Sequence, residues 1–147
     1  MHSLRQRLNA REESGFTLIE LLVVLIIIGV LLAIAIPSYL GFQKKAQQTA
    51  AMSDVRSAIP DAEAFYSDNN SYTGMSASGL QSTYDSGLVI SASGSTGIVS
   101  AIPGSTNAQA YCISAVSGGH WAHVQGPGGQ VTNDTASTAD PCAGFTG

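Results

Sequence analysis

The sequence predicts an α+β fold: one long N-terminal helix, half membrane-spanning and half amphipathic, packed on a small antiparallel sheet of about four strands. Three observations carry this. An unbroken apolar run of 21 residues, Phe16 to Ile36, stands near the start of the chain. Met52, Val55, Ile59, Ala62 and Tyr66 then recur at spacings of three and four, which puts them on one stripe of a helix. Beyond them the chain turns rich in Gly and Ser, and short β-prone runs alternate with turn residues. At 147 residues there is room for one domain of ordinary size and not for a large multidomain enzyme.

The first 15 residues, MHSLRQRLNAREESG, are polar and carry three arginines. Under the positive-inside rule they stay on the cytoplasmic side and the rest of the chain beyond the span is exported, although Glu12, Glu13, Lys44 and Lys45 make that charge bias modest. As a helix, the run from Phe16 to Ile36 reaches ~31 Å, enough to cross a bilayer. Ala33-Ile34-Ala35-Ile36-Pro37 offers a weak signal-peptidase pattern, but the apolar run is longer than such signals have, so the span is expected to be kept. Glu20 is the one charge inside it. A carboxylate in hydrocarbon is costly unless it is neutralised or partnered; Glu20 either is protonated, reaches the headgroups, or meets a positive group.

Pro37 cannot donate a backbone hydrogen bond and predicts a bend, with Gly29 and Gly41 on either side. The stripe from Met52 to Tyr66 needs a cover, and the Gly/Ser-rich half is the natural sheet to supply it. Pro60 predicts a second bend or a break near residue 59, and Asp68-Asn69-Asn70-Ser71 predicts the end of the helix near Asp68.

From Gly74 onward come 13 of the 16 glycines. Strands are expected over 88–92, 98–102, 110–116 and 121–125, punctuated by Gly94-Ser95-Thr96-Gly97, Ser117-Gly118-Gly119 and Gly126-Pro127-Gly128-Gly129. The chain after Val131 is too polar to hold itself in place, none of the four expected strands falls in it, and a bridge from Cys142 back to Cys112 would staple it to the sheet. Cys112 and Cys142, with 29 residues between them, have one possible pairing. Either they form a disulfide, which in an oxidising compartment stabilises the fold by about 2 to 4 kcal/mol, or they are two unpaired buried thiols.

Charge and motif exclude several classes of function. No Lys or Arg follows Arg56, so the head has no basic footprint for a phosphate backbone and nucleic-acid binding is not expected of it. His120 and His123 are three apart and point to opposite faces of a strand, which argues against a metal site. Asp134 and Asp140 lack the dense alternation of acids that a calcium loop requires. No nucleophile motif and no phosphate-cradling glycine loop is present, so no cofactor and no enzymatic activity are expected. Asn69-Asn70-Ser71 and Asn133-Asp134-Thr135 match the N-x-S/T pattern, which is common by chance.

The string Ser14-Gly15-Phe16-Thr17-Leu18-Ile19-Glu20-Leu21-Leu22-Val23-Val24 resembles the processing site of type IV prepilins and the related pseudopilins. The stretch Phe65-Tyr66-Ser67-Asp68 followed by Tyr72 is similar to the close of the long helix in many of them. Ser14 departs from the Lys or Arg that many members carry before the glycine. The resemblance is tight over residues 14–40, looser to about residue 72, and architectural after that.

It implies the type IV pilin fold, with 1–15 a leader peptide, 16–37 a transmembrane and filament-core half-helix, 38–70 an amphipathic half-helix and 71–147 a β-rich head with a C-terminal disulfide loop. A prepilin peptidase would cut between Gly15 and Phe16 and methylate the new terminus of Phe16. Glu20 would attract the terminal amine of an adjacent subunit during assembly. Gly29 through Pro37 would lose helicity in the filament.

The function implied is that of a structural subunit, a major pilin of a type IV pilus. It would sit in the inner membrane before assembly, polymerise with copies of itself through machinery containing an ATPase, and end in an extracellular filament. A pseudopilin of a type II secretion system, a minor pilin and a non-polymerising single-span protein are the alternatives.

Overall fold

The computed structural model describes residues 15–91, 96–134 and 139–147. The leader charges, Ser14, the Gly94-Ser95 half of one turn signal and Thr135 lie outside the described residues. The chain divides into two compact units, one ending at Leu40 and the other beginning at Gly41.

Helix α1 runs Leu18–Asn69, ending one residue from the expected place. The break allowed for at Pro60 is absent. Pro60 and Arg56, whose carbonyl it leaves without a helix donor, are both exposed, on the solvent side of the helix. Ala58 and Ala62 on either side are fully buried and hold the helix to its support.

In the second unit the buried line on α1 is Ala51, Val55, Ala58 and Ala62; Met52, Ile59, Phe65 and Tyr66 flank it, half-buried. The stripe read from the sequence is therefore turned by about one residue. Small side chains take the centre of this line and the larger ones seal its edges.

Four antiparallel strands pair in sequence order: β1 Thr96–Pro103, β2 Tyr111–Ser117, β3 His120–Gly126 and β4 Thr132–Asp134. β2 and β3 are joined by Gly118 and Gly119, both at positive φ, the conformation a two-residue hairpin turn of matching twist requires.

Every residue of β2 is buried, so the strand is covered on both faces. Tyr111, Ile113 and Ala115 join the cluster that contains the α1 alanines. The alternate residues meet the C-terminal segment, Cys112 through a bond to Cys142 and Ser114 through a hydrogen bond to Asp140. The head is thus helix, sheet and strap.

Two of the expected strand assignments are corrected. Of the strand expected over 88–92, the described residues 88–91 form none, with Ala92 outside the described residues; Ile90 makes a single parallel bridge to Ile98. Seven residues separate that pair, too few for the crossover that a sustained parallel ladder needs. A short helix, α2 Ala77–Thr83, precedes this segment. Its N-cap is Ser76, whose hydroxyl accepts from the Gly79 N–H at 3.1 Å. The fourth strand is instead β4, within the polar stretch expected to lack one. It pairs antiparallel with β3, and side chains add to the hold: Asp134 pairs with His123, and the Thr132 hydroxyl lies 3.2 Å from His123 Nδ1.

Candidate functional site

The first unit offers an apolar helical surface with one polar feature at its start. Phe16 is 83% exposed, and the large side chains from Leu18 to Ile36 are exposed throughout. The helix is long and apolar enough to cross a membrane by length and composition. Thr17 and Glu20 form a capping box. The Glu20 N–H donates to Thr17 Oγ1 at 3.3 Å, while Glu20 Oε2 accepts from the Thr17 N–H at 3.0 Å and from its hydroxyl at 2.8 Å.

Sequence reasoning missed this arrangement, although T-x-x-E ahead of an apolar run is its signature. It supplies the carboxylate with partners from its own chain. Phe16, Ile19, Glu20, Val23 and Val24 together line a shallow groove.

Gly29 and Pro37 both lie within α1. A Cβ added at Gly29 would meet nothing within 4 Å, so packing within this chain does not demand glycine there. After Pro37 the Ser38 hydroxyl lies 3.4 Å from the Ile34 carbonyl.

The head holds two clasps that the sequence did not disclose. In the first, the Glu63 carboxylate accepts from the phenols of Tyr72 and Tyr111, each at 3.1 Å. The rings meet in series at a tilt, Tyr66 to Tyr72 at 4.8 Å and Tyr72 to Tyr111 at 4.6 Å between centroids. Burial, with the Glu63 charge beside them, pushes both phenols above their ordinary range. Gly126 lets the Tyr111 ring in, since a Cβ there would stand 2.1 Å from the ring carbon Cζ.

The second clasp closes the C-terminal segment. Cys112 and Cys142 are bonded, with Cα atoms 5.6 Å apart and both side chains fully buried. Beside the bridge, Asp140 accepts from the Ser100 hydroxyl, from the Ser114 hydroxyl at 2.6 Å and from the Cys142 N–H at 2.9 Å.

These contacts engage the acids weighed as calcium ligands, since Asp134 is paired with His123 and Asp140 binds β1, β2 and the strap. Among the described residues no group of three or more His, Cys, Asp or Glu side chains is placed to hold a metal.

An exposed apolar helix of membrane length, capped at its start, and a disulfide-closed sheet define an α+β protein whose apolar segment calls for an apolar environment. Comparison with known proteins places it further. Residues 10–36 match the prokaryotic N-terminal methylation motif. Over 138 residues the chain is 36% identical to the type IV wide pilus major component PilA4 of Thermus thermophilus, covering 89% of this chain and 96% of that one.

The chain therefore belongs to the type IV pilin family. It is also 40% identical over 67 residues to the type IV major pilin protein PilA of Myxococcus xanthus, which is 46% of this chain and 30% of that protein. With the type II secretion system core protein G of Aeromonas hydrophila it shares 37% identity over 65 residues, 44% of this chain and 46% of that one. No solved structure matches the chain.

Proposed function

We propose that this chain is the major structural subunit of a type IV pilus. The observation that carries the proposal is the near full-length match to a relative named as a major pilus component. In this reading a prepilin peptidase cuts between Gly15 and Phe16 and methylates Phe16. The exposed apolar helix holds the precursor in the inner membrane with its head outside the cytoplasm. Assembly machinery with an ATPase then moves subunits sideways into a helical filament that extends from the cell.

Lipid and filament core are equally apolar, so the transfer gains little hydrophobic energy and close packing must select the register. Glu20 adds direction. Its carboxylate is held one turn into the helix by Thr17, close to the terminus that cleavage creates, and an amine from a neighbouring subunit would exchange with or join those hydrogen bonds. Gly29, free of neighbours in its own chain, and Pro37 mark the stretch that can unwind on packing or under load.

A second reading, a pseudopilin of a type II secretion system, is supported by the match to core protein G, which covers less than half of either chain. Intact mass of protein from sheared extracellular filaments separates the two. A species beginning at Phe16, about 14 Da heavier for one methyl group and about 2 Da lighter before reduction, is expected. Cut protein confined to the cell envelope would favour the pseudopilin, and uncut protein in the membrane would overturn both.

A further inference from the structure

Five of the seven charged residues that α1 carries within the second unit fall on two flanks of the helix. Every Lys and Arg after Gly15 is Lys44, Lys45 or Arg56, and among the described residues none of the three forms a salt bridge. At ~100° per residue, Lys45 and Arg56 share one azimuth to within about 20°, whereas Asp54, Asp61 and Asp68, spaced by sevens, form a second line about 150° round the helix. The buried alanine line faces the sheet between these flanks on one side; the other side is open. Lys44 falls on the sheet side and belongs to neither flank. Glu63 shares the basic azimuth, but both its oxygens accept from phenols.

Among the described residues no Lys or Arg pairs with the acidic flank. Asp61 Oδ2 is buried with no hydrogen-bond partner, and burial together with the nearby Asp85 charge raises its carboxyl above the usual range. Burial raises the Asp54 carboxyl as well. Asp68 receives a neutral phenol from Tyr84 at 2.9 Å. On the other flank Lys45 and Arg56 are exposed.

We propose that neighbouring copies of this chain pair flank to flank, Lys45 and Arg56 of one helix against Asp54, Asp61 and Asp68 of the next. The proposal rests on the reading of the chain as a polymerising subunit. The two surfaces differ, so each copy keeps one of each kind free and the contact propagates as an open helical array instead of closing in a pair. Between parallel helices a single displacement of nine residues, ~14 Å along the axis, sets Lys45 beside Asp54. The same displacement leaves Arg56 between Asp61 and Asp68, within reach of either for a long guanidinium side chain.

The test is a charge exchange in full-length chains, read as the amount of subunit in sheared filaments relative to the membrane pool. Lys45→Asp with Arg56→Asp, and separately Asp54→Lys with Asp61→Lys, put like charges face to face and are each expected to lower filament yield by roughly tenfold or more. All four changes in one chain restore opposite charges across the contact and should bring the yield back to within about threefold of the parent. Half-exchanged chains that assemble like the parent would overturn the proposal, as would a four-fold variant no better than its halves while keeping its oxidised Cys112–Cys142 mass. Should that variant lose the bridge, Lys45→Cys with Asp54→Cys in the otherwise unchanged chain decides the matter: oxidised filaments give a covalent ladder if the flanks meet, and none if they do not. A parent chain that forms no filament would overturn the subunit reading and this pairing together, whereas filaments indifferent to both tests would overturn the pairing alone.

Discussion

Tyr111 donates its phenol proton to Glu63 Oε1 at 3.1 Å, joining the central strand to the long helix across 48 residues of sequence. Tyr72 takes the other oxygen, so one carboxylate fixes both the strand and the chain that leaves the helix. Both tyrosines are almost wholly buried. Removing the acceptor would strand two hydroxyls in the interior at about 1–3 kcal/mol each. Glu63→Ala is therefore expected to lower the unfolding free energy by about 2 kcal/mol or more in denaturant titration. Glu63→Gln, which can accept from one phenol and donate to the other, should lose less than half of that. Equal losses would show that the side chain acts by packing and not by accepting these bonds.

The same phenols set an alkaline limit. Their folded pKa is raised above the ordinary phenol value of about 10, first by burial and then by Glu63. In the unfolded chain they ionise near that ordinary value, so above it the unfolded state releases protons that the native state retains. The stability they provide is whole below pH 10 and falls as the pH rises beyond it. Unfolding followed by ring absorbance should show Tyr72 and Tyr111 ionising only together with loss of structure. Tyr111→Phe should flatten the alkaline fall, and an unchanged slope in that variant would refute the assignment.

Elements whose cause is local were legible in the sequence. The apolar run, the end of α1 near Asp68, the hairpin at Gly118-Gly119 and strands β2 and β3 follow from periodicity and turn chemistry close at hand. Elements held by distant side chains were not. β4 is three polar residues paired with β3 and tied to it by His123, and α2 is seven residues whose visible signal was the capping Ser76. The expected strand over 88–92 had the right composition, but its neighbour in space is reached by only a single bridge. The helix face shifted because side-chain size favours Met52 and Ile59 for the centre, whereas the fully buried line is made of Ala51, Val55, Ala58 and Ala62. At the site, Glu20 drew attention as an isolated charge, and the partner waiting three residues away in Thr17 went unread.

Asp140 joins the strap to both β1 and β2, so its loss should be felt at the disulfide beside it. With Asp140→Ala the fully buried Ser114 hydroxyl and the Cys142 N–H lose their acceptor, at a cost of about 1–3 kcal/mol. The fully buried sulfurs should then become reachable through local opening of the strap. Reduction by dithiothreitol under native conditions is expected to speed up at least about tenfold, following the larger open population. An unchanged rate would place the protection of the bridge in the sheet and not in Asp140.

The capping box lets two roles of Glu20 be separated. Glu20→Ala removes both the cap and the charge, whereas Glu20→Gln retains an oxygen that can accept from Thr17 and removes only the charge. Thr17→Ala leaves the charge and takes away the hydroxyl. If attraction to a neighbour's amine drives assembly, Glu20→Gln should abolish filaments nearly as fully as Glu20→Ala, with the processed monomer still in the membrane, while Thr17→Ala should assemble at a reduced rate. If orientation of the helix start is what matters, Thr17→Ala and Glu20→Ala should fail alike and Glu20→Gln should assemble. Sheared-filament yield set against the membrane pool of the three variants distinguishes these outcomes. Amide exchange at Leu18 to Leu21 reports independently whether the cap has frayed. Assembly of Glu20→Gln at the parent level would remove the charge from the mechanism and leave Glu20 as the cap of its own helix.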